Sequence, residues 1–278
     1  MGSEFASVVF GLSSALVWGA GDFLGGLSSR RSSVLGALLV NEVTGLLILI
    51  LCALLFQEPF PSNVQIGWSM AAGIVGTLGL GALYLGLATA RATIVAPVSA
   101  VIGALLPAVY GALTIGLPDS TKQVGFGIAI AAIILISYSN QGIGEMRALG
   151  LAILAGIGFG LFFIFIHQGS NGGTFFPLVF SRGIATPIVF ALLLWRRAPL
   201  PSRQVLPLAM LSGIFDAGGN IFFLLSSTFG RLDVATILSS LYPASTVILS
   251  RIFLHEKISR LQQLGVALAL AAIVLIAL

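Results

Sequence analysis

The chain has 278 residues, of which 58% are hydrophobic and only 8% are charged. Soluble domains carry roughly 25% charged residues, so 22 charged side chains (13 basic and 9 acidic) cannot cover the surface of a soluble protein of this length. A soluble enzyme, a nucleic-acid-binding protein and a disordered chain are thereby excluded. The net charge of +4 comes from scattered loop residues and not from a basic run. The single cysteine excludes a disulfide framework and a cysteine metal site.

The remaining class is a multi-pass membrane protein. A helix that crosses a bilayer needs about 20 mostly apolar residues, and ten segments meet this requirement once Met1–Phe5, which resembles a cloning remnant, is set aside. The runs are continuous and not alternating, which argues against a β-barrel. The sequence therefore predicts an all-α membrane protein with ten transmembrane helices. The predicted spans are residues 7–27, 34–56, 65–88, 93–115, 123–140, 148–168, 174–195, 205–227, 233–254 and 260–278.

The second half of the chain repeats features of the first half at an offset of 140 residues. Gln123 corresponds to Gln263, and Gly125 to Gly265. Matches of Gln and Gly at one fixed offset are harder to obtain by chance than matches of Ala or Leu. We expect two five-helix repeats, at residues 6–141 and 147–278. Because five is odd, the second repeat enters the membrane from the opposite side, which gives inverted repeats of the kind found in secondary transporters.

Basic residues of the short loops predict the orientation in the membrane. The loops after helices 1, 3, 5, 7 and 9 hold nine Lys or Arg residues, whereas the other loops hold only Lys122 and Arg231. This asymmetry places the odd-numbered loops in the cytoplasm and both termini outside. The nine residues are Arg30, Arg31, Arg91, Arg147, Arg196, Arg197, Arg203, Lys257 and Arg260.

Several short motifs along the whole chain resemble those of a known family. They are LVWG at 16–19, YLGLATARA at 84–92, APVSA at 96–100, SSLYP at 239–243, and HEKIS at 255–259 followed by QLG at 263–265. In these motifs the chain resembles the ten-helix EamA-type transporters of the drug/metabolite transporter superfamily. It departs from them at LPD 117–119, where the family usually has Gly-Glu, and at Glu42.

The resemblance implies a protein of the bacterial inner membrane that exports small metabolites, with amino acids as the commonest substrates. It also implies alternating access around a cavity lined by helices 1, 3, 4, 6, 8 and 9. Other candidate substrates are cationic drugs, sugars and nucleosides. We expect a small-molecule substrate and the lipid bilayer as partners, no nucleic acid, and a monomer.

Among the ionisable residues of the predicted spans we single out Asp22, Glu42, Arg182 and Asp216, because charges are costly there and therefore mark candidate functional sites. Glu42 and Arg182 are related by the 140-residue offset, and Asp216 lies one helical turn before Asn220 on the same face. Arg182 could bind a substrate carboxylate while Glu42 or Asp216 binds an ammonium group or a proton. The structural alternative is an ion pair of Arg182 with either acid. Asp22 is expected near the loop end of helix 1, solvated or paired with Arg30 or Arg31.

Aromatic and hydroxyl side chains are the other candidates for the cavity. Trp18 and Phe159 occupy equivalent places beside glycines and could contact an apolar substrate or only pack. The remaining hydroxyl and aromatic candidates could bind a polar substrate or only bond neighbouring helices. They are Tyr84, Ser99, Phe163, Ser239 and Tyr242.

Two other classes of membrane protein, an intramembrane serine hydrolase and a channel, fit the sequence less well. An intramembrane serine hydrolase needs a histidine at membrane depth, whereas His167 and His255 are expected at helix ends. A channel would show rings of charge or a repeated filter sequence. No metal-ligand spacing and no phosphate-binding motif occurs in the sequence, so we expect neither a cofactor nor catalysis.

Overall fold

The computed structural model describes residues 2–89, 92–137, 146–171, 173–254 and 260–277, and these residues form eleven α-helices and no strand. The helices are α1 (Gly2–Arg31), α2 (Val34–Leu55), α3 (Asn63–Thr89), α4 (Ala92–Thr114), α5 (Ser120–Ser137), α6 (Met146–Ser170), α7 (Phe175–Arg196), α8 (Leu206–Phe229), α9 (Leu232–Ser239), α10 (Tyr242–Leu254) and α11 (Arg260–Ala277).

Six of the described helices are long and apolar enough to cross a membrane, judged by length and composition. They are α1, α2, α3, α6, α7 and α8. Shorter apolar helices run from Val98 to Thr114 and from Gln123 to Ala132. The chain is thus an all-helical, multi-pass membrane protein, and the count of ten spans stays a prediction.

Two of the differences between the predicted and the observed boundaries bear on the candidate site. The segment predicted as one span at 233–254 is two helices, α9 and α10, with Ser240 and Leu241 between them. Pro243 explains the interruption, because it lacks the N–H group that a continuous helix would bond to the carbonyl of Ser239. Helix α1 continues to Arg31 and not to residue 27, so Ser28–Arg31 is helical.

The helices form a bundle in which early helices pack on late ones. Helix α1 packs on α8, α3 and α4 pack on α6, α2 packs on α7 and α8, and α5 packs on α11. Small residues permit the closest approaches: a Cβ atom at Gly158 would lie 2.7 Å from the Cα atom of Gly79. Such contacts between backbones are typical of helix packing in membranes.

Loop residues fasten the ends of several helices. The Ser33 hydroxyl donates to the Pro199 carbonyl over 2.6 Å and accepts from the Gly36 N–H group at the start of α2. Arg231, before α9, donates to the Gly116 carbonyl and to Asp233. The hydrogen bond with Asp233 raises the pKa of the Arg231 guanidinium above its ordinary value. The bonds to Pro199 and Gly116 join loops of one half of the chain to loops of the other.

The start of α7 is capped by a carboxylate from the other half of the chain. Glu58, between α2 and α3, accepts hydrogen bonds from the backbone N–H groups of Thr174, Phe175 and Phe176, at 2.8 Å for Phe175 and 2.6 Å for Phe176. The Thr174 side chain makes no capping bond of its own. Because a helix N-terminus carries partial positive charge and free N–H donors, an anion stabilises it.

Replacing Glu58 by glutamine should therefore weaken the anchoring of α7. Glu58→Gln keeps the size of the side chain but removes the charge, and we expect the free energy of unfolding to fall by about 1 kcal/mol. The measurement is thermal unfolding of the purified protein in detergent. Arg203→Gln, in the exposed loop before α8, is the control and should leave the melting temperature unchanged. Equal melting temperatures for Glu58→Gln and the unaltered protein would contradict this role.

Candidate functional site

A cavity of about 650 Å³, part of it open to solvent, lies between the helices of the two halves of the chain. We call it the central cavity. Helices α1, α3, α6, α7 and α8 each contribute residues spaced three or four apart, so that one face of each is exposed to the cavity, and α2 and α10 contribute one residue each. The lining residues are Trp18, Asp22, Glu42, Gly73, Gly76, Thr77, Leu80, Phe159, Phe162, Phe163, Leu178, Ser181, Arg182, Asp216, Asn220 and Tyr242.

Arg182 on α7 forms ion pairs with carboxylates from two other helices. Its Nη1 atom lies 3.0 Å from Oε2 of Glu42 on α2, and its Nη2 atom bonds to Oδ2 of Asp216 on α8. Nη1 also donates to Oδ1 of Asn41 at 3.2 Å. Only 6% of the Arg182 surface is exposed. We call Arg182, Glu42, Asp216 and Asn41 the Arg182 cluster. The sequence allowed an ion pair of Arg182 with either acid, and the structure shows ion pairs with both.

The Arg182 cluster continues into a network of hydroxyl groups. The Asn41 amide donates to Tyr84 Oη and to Ser212 Oγ, both at 3.1 Å. Tyr84 and Ser212 are 2.7 Å apart, and Ser212 donates to the Gly21 carbonyl of α1. This network links α1, α2, α3, α7 and α8 around one side of the cavity.

Aromatic rings form another part of the cavity wall. The ring of Trp18 lies 5.5 Å from that of Phe163 and 5.9 Å from that of Phe223, and Phe162 packs edge-on against Phe163 at 5.9 Å. Close aromatic pairs of this kind favour a fixed arrangement of the rings. The cavity therefore combines a rigid apolar wall with a charged one.

The expected position of Asp22 is wrong. Helix α1 extends nine residues beyond Asp22 to Arg31, so this carboxyl group lies away from the helix end. It lines the central cavity, with 7% of its surface exposed. Arg30 does not pair with it, and instead donates from Nε to the Leu87 carbonyl at 2.9 Å.

Three of the candidate hydroxyl residues lie outside the cavity wall. Tyr84 is fully buried in the network with Asn41 and Ser212. Ser99 donates to the Ala96 carbonyl at 2.7 Å and lies 3.0 Å from Tyr242 Oη. Ser239 is buried beside the Gly11 carbonyl. These hydroxyls bond neighbouring helices, while Tyr242 also reaches the cavity.

The other candidates lie at the cavity: Trp18, Glu42, Phe159, Phe163, Arg182, Asp216 and Asn220. The resemblance implied that the third helix lines the cavity, but sequence reasoning did not identify which face of α3 does so. Gly73, Gly76, Thr77 and Leu80 follow the spacing of a single helical face, and this face lines the cavity. Thr77 donates to Oε1 of Glu42 at 3.1 Å. The helical spacing of these residues could have indicated this face in the sequence. None of them is charged, however, and the search for candidate residues started from charged side chains.

No group of three His, Cys, Asp or Glu residues that could hold a metal ion occurs in the described part of the chain. His167 lies in the last turn of α6, and its Nδ1 atom is buried and has no hydrogen-bond partner there. His255 lies outside the described residues.

Comparison with known proteins assigns the second half of the chain. Residues 146–278 match the EamA-like transporter family. This segment begins with α6 and contains Phe159, Phe163, Arg182, Asp216 and Tyr242 of the cavity. The match, over slightly less than half of the chain, points to a transporter, with a small-molecule substrate and membrane lipid as its partners.

Two further similarities accompany the family match. An uncharacterized protein of Methanocaldococcus jannaschii is 28% identical over 128 residues, which are 46% of this chain and 93% of that protein. A solved crystal structure has a TM-score of 0.74 and 16% sequence identity over 97% of this chain and 95% of that chain. At this identity the structural similarity shows the shared fold alone.

Removing Arg182 should leave two buried carboxylates without their cation. Breaking a buried ion pair from one side reduces stability by about 3–5 kcal/mol, so we expect Arg182→Gln to melt at a much lower temperature than the unaltered protein in detergent. Neutralising all three groups (Arg182→Gln, Glu42→Gln and Asp216→Asn) should recover much of the loss. Similar melting temperatures for the single and triple variants would contradict the mutual neutralisation of these residues.

Proposed function

We propose that the chain is a secondary transporter that exports small metabolites through the central cavity by alternating access, in the cytoplasmic membrane of a bacterium. The observation that carries this proposal is the cavity itself. It is enclosed by helices from both halves of a membrane protein, it bears charged groups, and the second half matches a transporter family. Substrate sites of transporters commonly lie at such a meeting of two halves.

The inverted duplication, with repeats at 6–141 and 147–278, is part of the proposal. The ends of α2 and α7 support it, because Gln57 and Arg197 are 140 residues apart and both adopt a left-handed backbone conformation, with φ of 49° and 50°. Gln57 N–H bonds to the Leu54 carbonyl and Arg197 N–H to the Leu194 carbonyl, again at the same offset. Two non-glycine residues with the same uncommon backbone geometry are a specific similarity.

Helix packing is also consistent with the duplication. If α6 corresponds to α1 and α8 to α3, the packing of α1 on α8 is the counterpart of the packing of α6 on α3. Helices α2 and α7 correspond to each other and pack together, as do α5 and α11. Alternating access then consists of the two repeats rocking about the cavity.

Amino acids are the first substrates to test. The motifs described above resemble those of a bacterial exporter of aromatic and other amino acids called YddG. The wall of the cavity offers both aromatic rings and polar groups. Sugars and nucleosides would use the hydroxyl and amide groups alone. Cationic drugs are favoured by the acidic residues of the cavity.

The other classes of membrane protein find less support. A serine hydrolase needs a serine hydroxyl bonded to a histidine, but within the described residues His167 Nδ1 has no such partner. A channel would conduct without saturation, and the flux measurement below distinguishes it from a carrier.

The proposal predicts saturable exchange. Proteoliposomes loaded with an unlabelled amino acid should accumulate the same labelled amino acid by counterflow, and the uptake rate should saturate with concentration. Unsaturable flux would indicate a channel. No counterflow with any amino acid, amine, sugar or nucleoside of the panel would contradict a carrier of small metabolites.

Filling the cavity should stop this exchange. Leu80 lines the cavity with 7% of its surface exposed, and we expect Leu80→Trp to reduce the counterflow rate at least tenfold because the indole occupies the substrate volume. Leu78 lies two residues away on the outer side of α3 and is 56% exposed. Leu78→Trp is the matched control and should transport normally. Equal rates for folded samples of the two variants would exclude the cavity as the route.

A further inference from the structure

The charged groups of the cavity are unequal in number. Among the described lining residues, Arg182 is the single cation, whereas three residues carry carboxyl groups: Asp22, Glu42 and Asp216. Glu42 and Asp216 are both bound to Arg182. Asp22 is therefore the carboxyl group of the cavity that has no cation beside it in the described part of the chain.

Asp22 is also without a hydrogen-bond donor there. No hydrogen bond or ion pair joins its carboxyl group to another described residue, although 93% of its surface is buried (7% exposed). A buried carboxyl group without a partner is unfavourable. Because Asp22 lines the cavity, a ligand in the cavity can supply the missing cation.

The surroundings of Asp22 suit an organic cation. Trp18 precedes Asp22 by four residues on α1 and so lies on the same helical face. Its indole ring lines the cavity and is held by Phe163 and Phe223. A cation over the face of a tryptophan ring is stabilised by its quadrupole. The cavity thus offers a carboxylate and an aromatic surface side by side.

The opposite charge of a zwitterion finds no equivalent site. The Nη1 atom of Arg182 donates to Asn41 and Glu42, and Nη2 donates to Asp216. The guanidinium also packs against α2, where a Cβ atom at Gly45 would lie 2.7 Å from Cζ and 2.8 Å from Nε. A carboxylate that bound Arg182 with both oxygens would therefore share at least one terminal nitrogen with Asn41, Glu42 or Asp216.

We propose that Asp22 binds the ammonium group of an organic amine against the ring of Trp18, and that the cavity prefers amines without a carboxylate to zwitterionic amino acids. This inference rests on the proposed transport function and names its substrate class. It differs from the amino-acid hypothesis in assigning recognition to one free acid and in leaving Arg182 to the ion pairs of the Arg182 cluster.

The test is calorimetric binding to the purified protein in detergent with three matched probes. 2-Phenylethylamine carries the ammonium group, 2-phenylethanol has a neutral hydroxyl in its place, and L-phenylalanine adds a carboxylate. We expect the amine to bind at least tenfold more tightly than either of the other probes. Equal or weaker binding of the amine would overturn the inference, and this comparison needs no variant.

Asp22→Asn identifies the residue responsible. We expect this variant to bind 2-phenylethylamine at least tenfold more weakly, with no change for 2-phenylethanol, and Asp22→Glu to restore part of the binding. Unchanged affinity for the amine in folded Asp22→Asn would overturn the assignment. Amine binding without counterflow of any substrate would contradict the transport function but support the amine site at Asp22. Counterflow of amino acids without amine binding would support the transport function but contradict the amine site.

Discussion

A guanidinium buried within a membrane protein must be neutralised, and Arg182 is neutralised by carboxylates from two different helices. Glu42 holds it from α2 and Asp216 from α8, while Asn41 connects it to Tyr84 and Ser212. Five helices are therefore joined around one buried charge. Because each of these bonds replaces a bond to water that the membrane interior cannot provide, the relative positions of the five helices are tightly constrained.

This constraint also determines the chemistry of the cavity. A guanidinium that is used by two acids is not available for a substrate carboxylate, so the polar recognition of the cavity falls to groups outside the Arg182 cluster. Asp22 and Trp18, on one face of α1, are such groups. The aromatic contacts of Trp18 with Phe163 and Phe223 tie α1 to α6 and α8, so the proposed site depends on the same packing that surrounds Arg182.

Apolar length and the need to neutralise a buried charge were readable from the sequence, and they predicted most helices and the pairing of Arg182. Contacts between distant segments were not readable: Glu58 caps α7 across more than a hundred residues, and nothing local marks it for that role. The depth of Asp22 was misjudged because α1 continues through the polar residues Ser28–Arg31, which the apolar pattern assigned to a loop. The face of α3 that lines the cavity was missed because its residues are mostly small. Their contribution is the space that they leave unfilled, and no chemical group marks that space in the sequence.

The most direct test of the account is the accessibility of the cavity from each side of the membrane. Ser181 lines the cavity and makes no side-chain hydrogen bond within the described structure, so Ser181→Cys in a Cys52→Ser background places one thiol there without breaking the Arg182 cluster. A membrane-impermeant thiol reagent should label this cysteine when added to either side of sealed vesicles, and a transported substrate should slow the labelling from both sides. Labelling from only one side under all conditions, or from neither, would contradict alternating access through the central cavity.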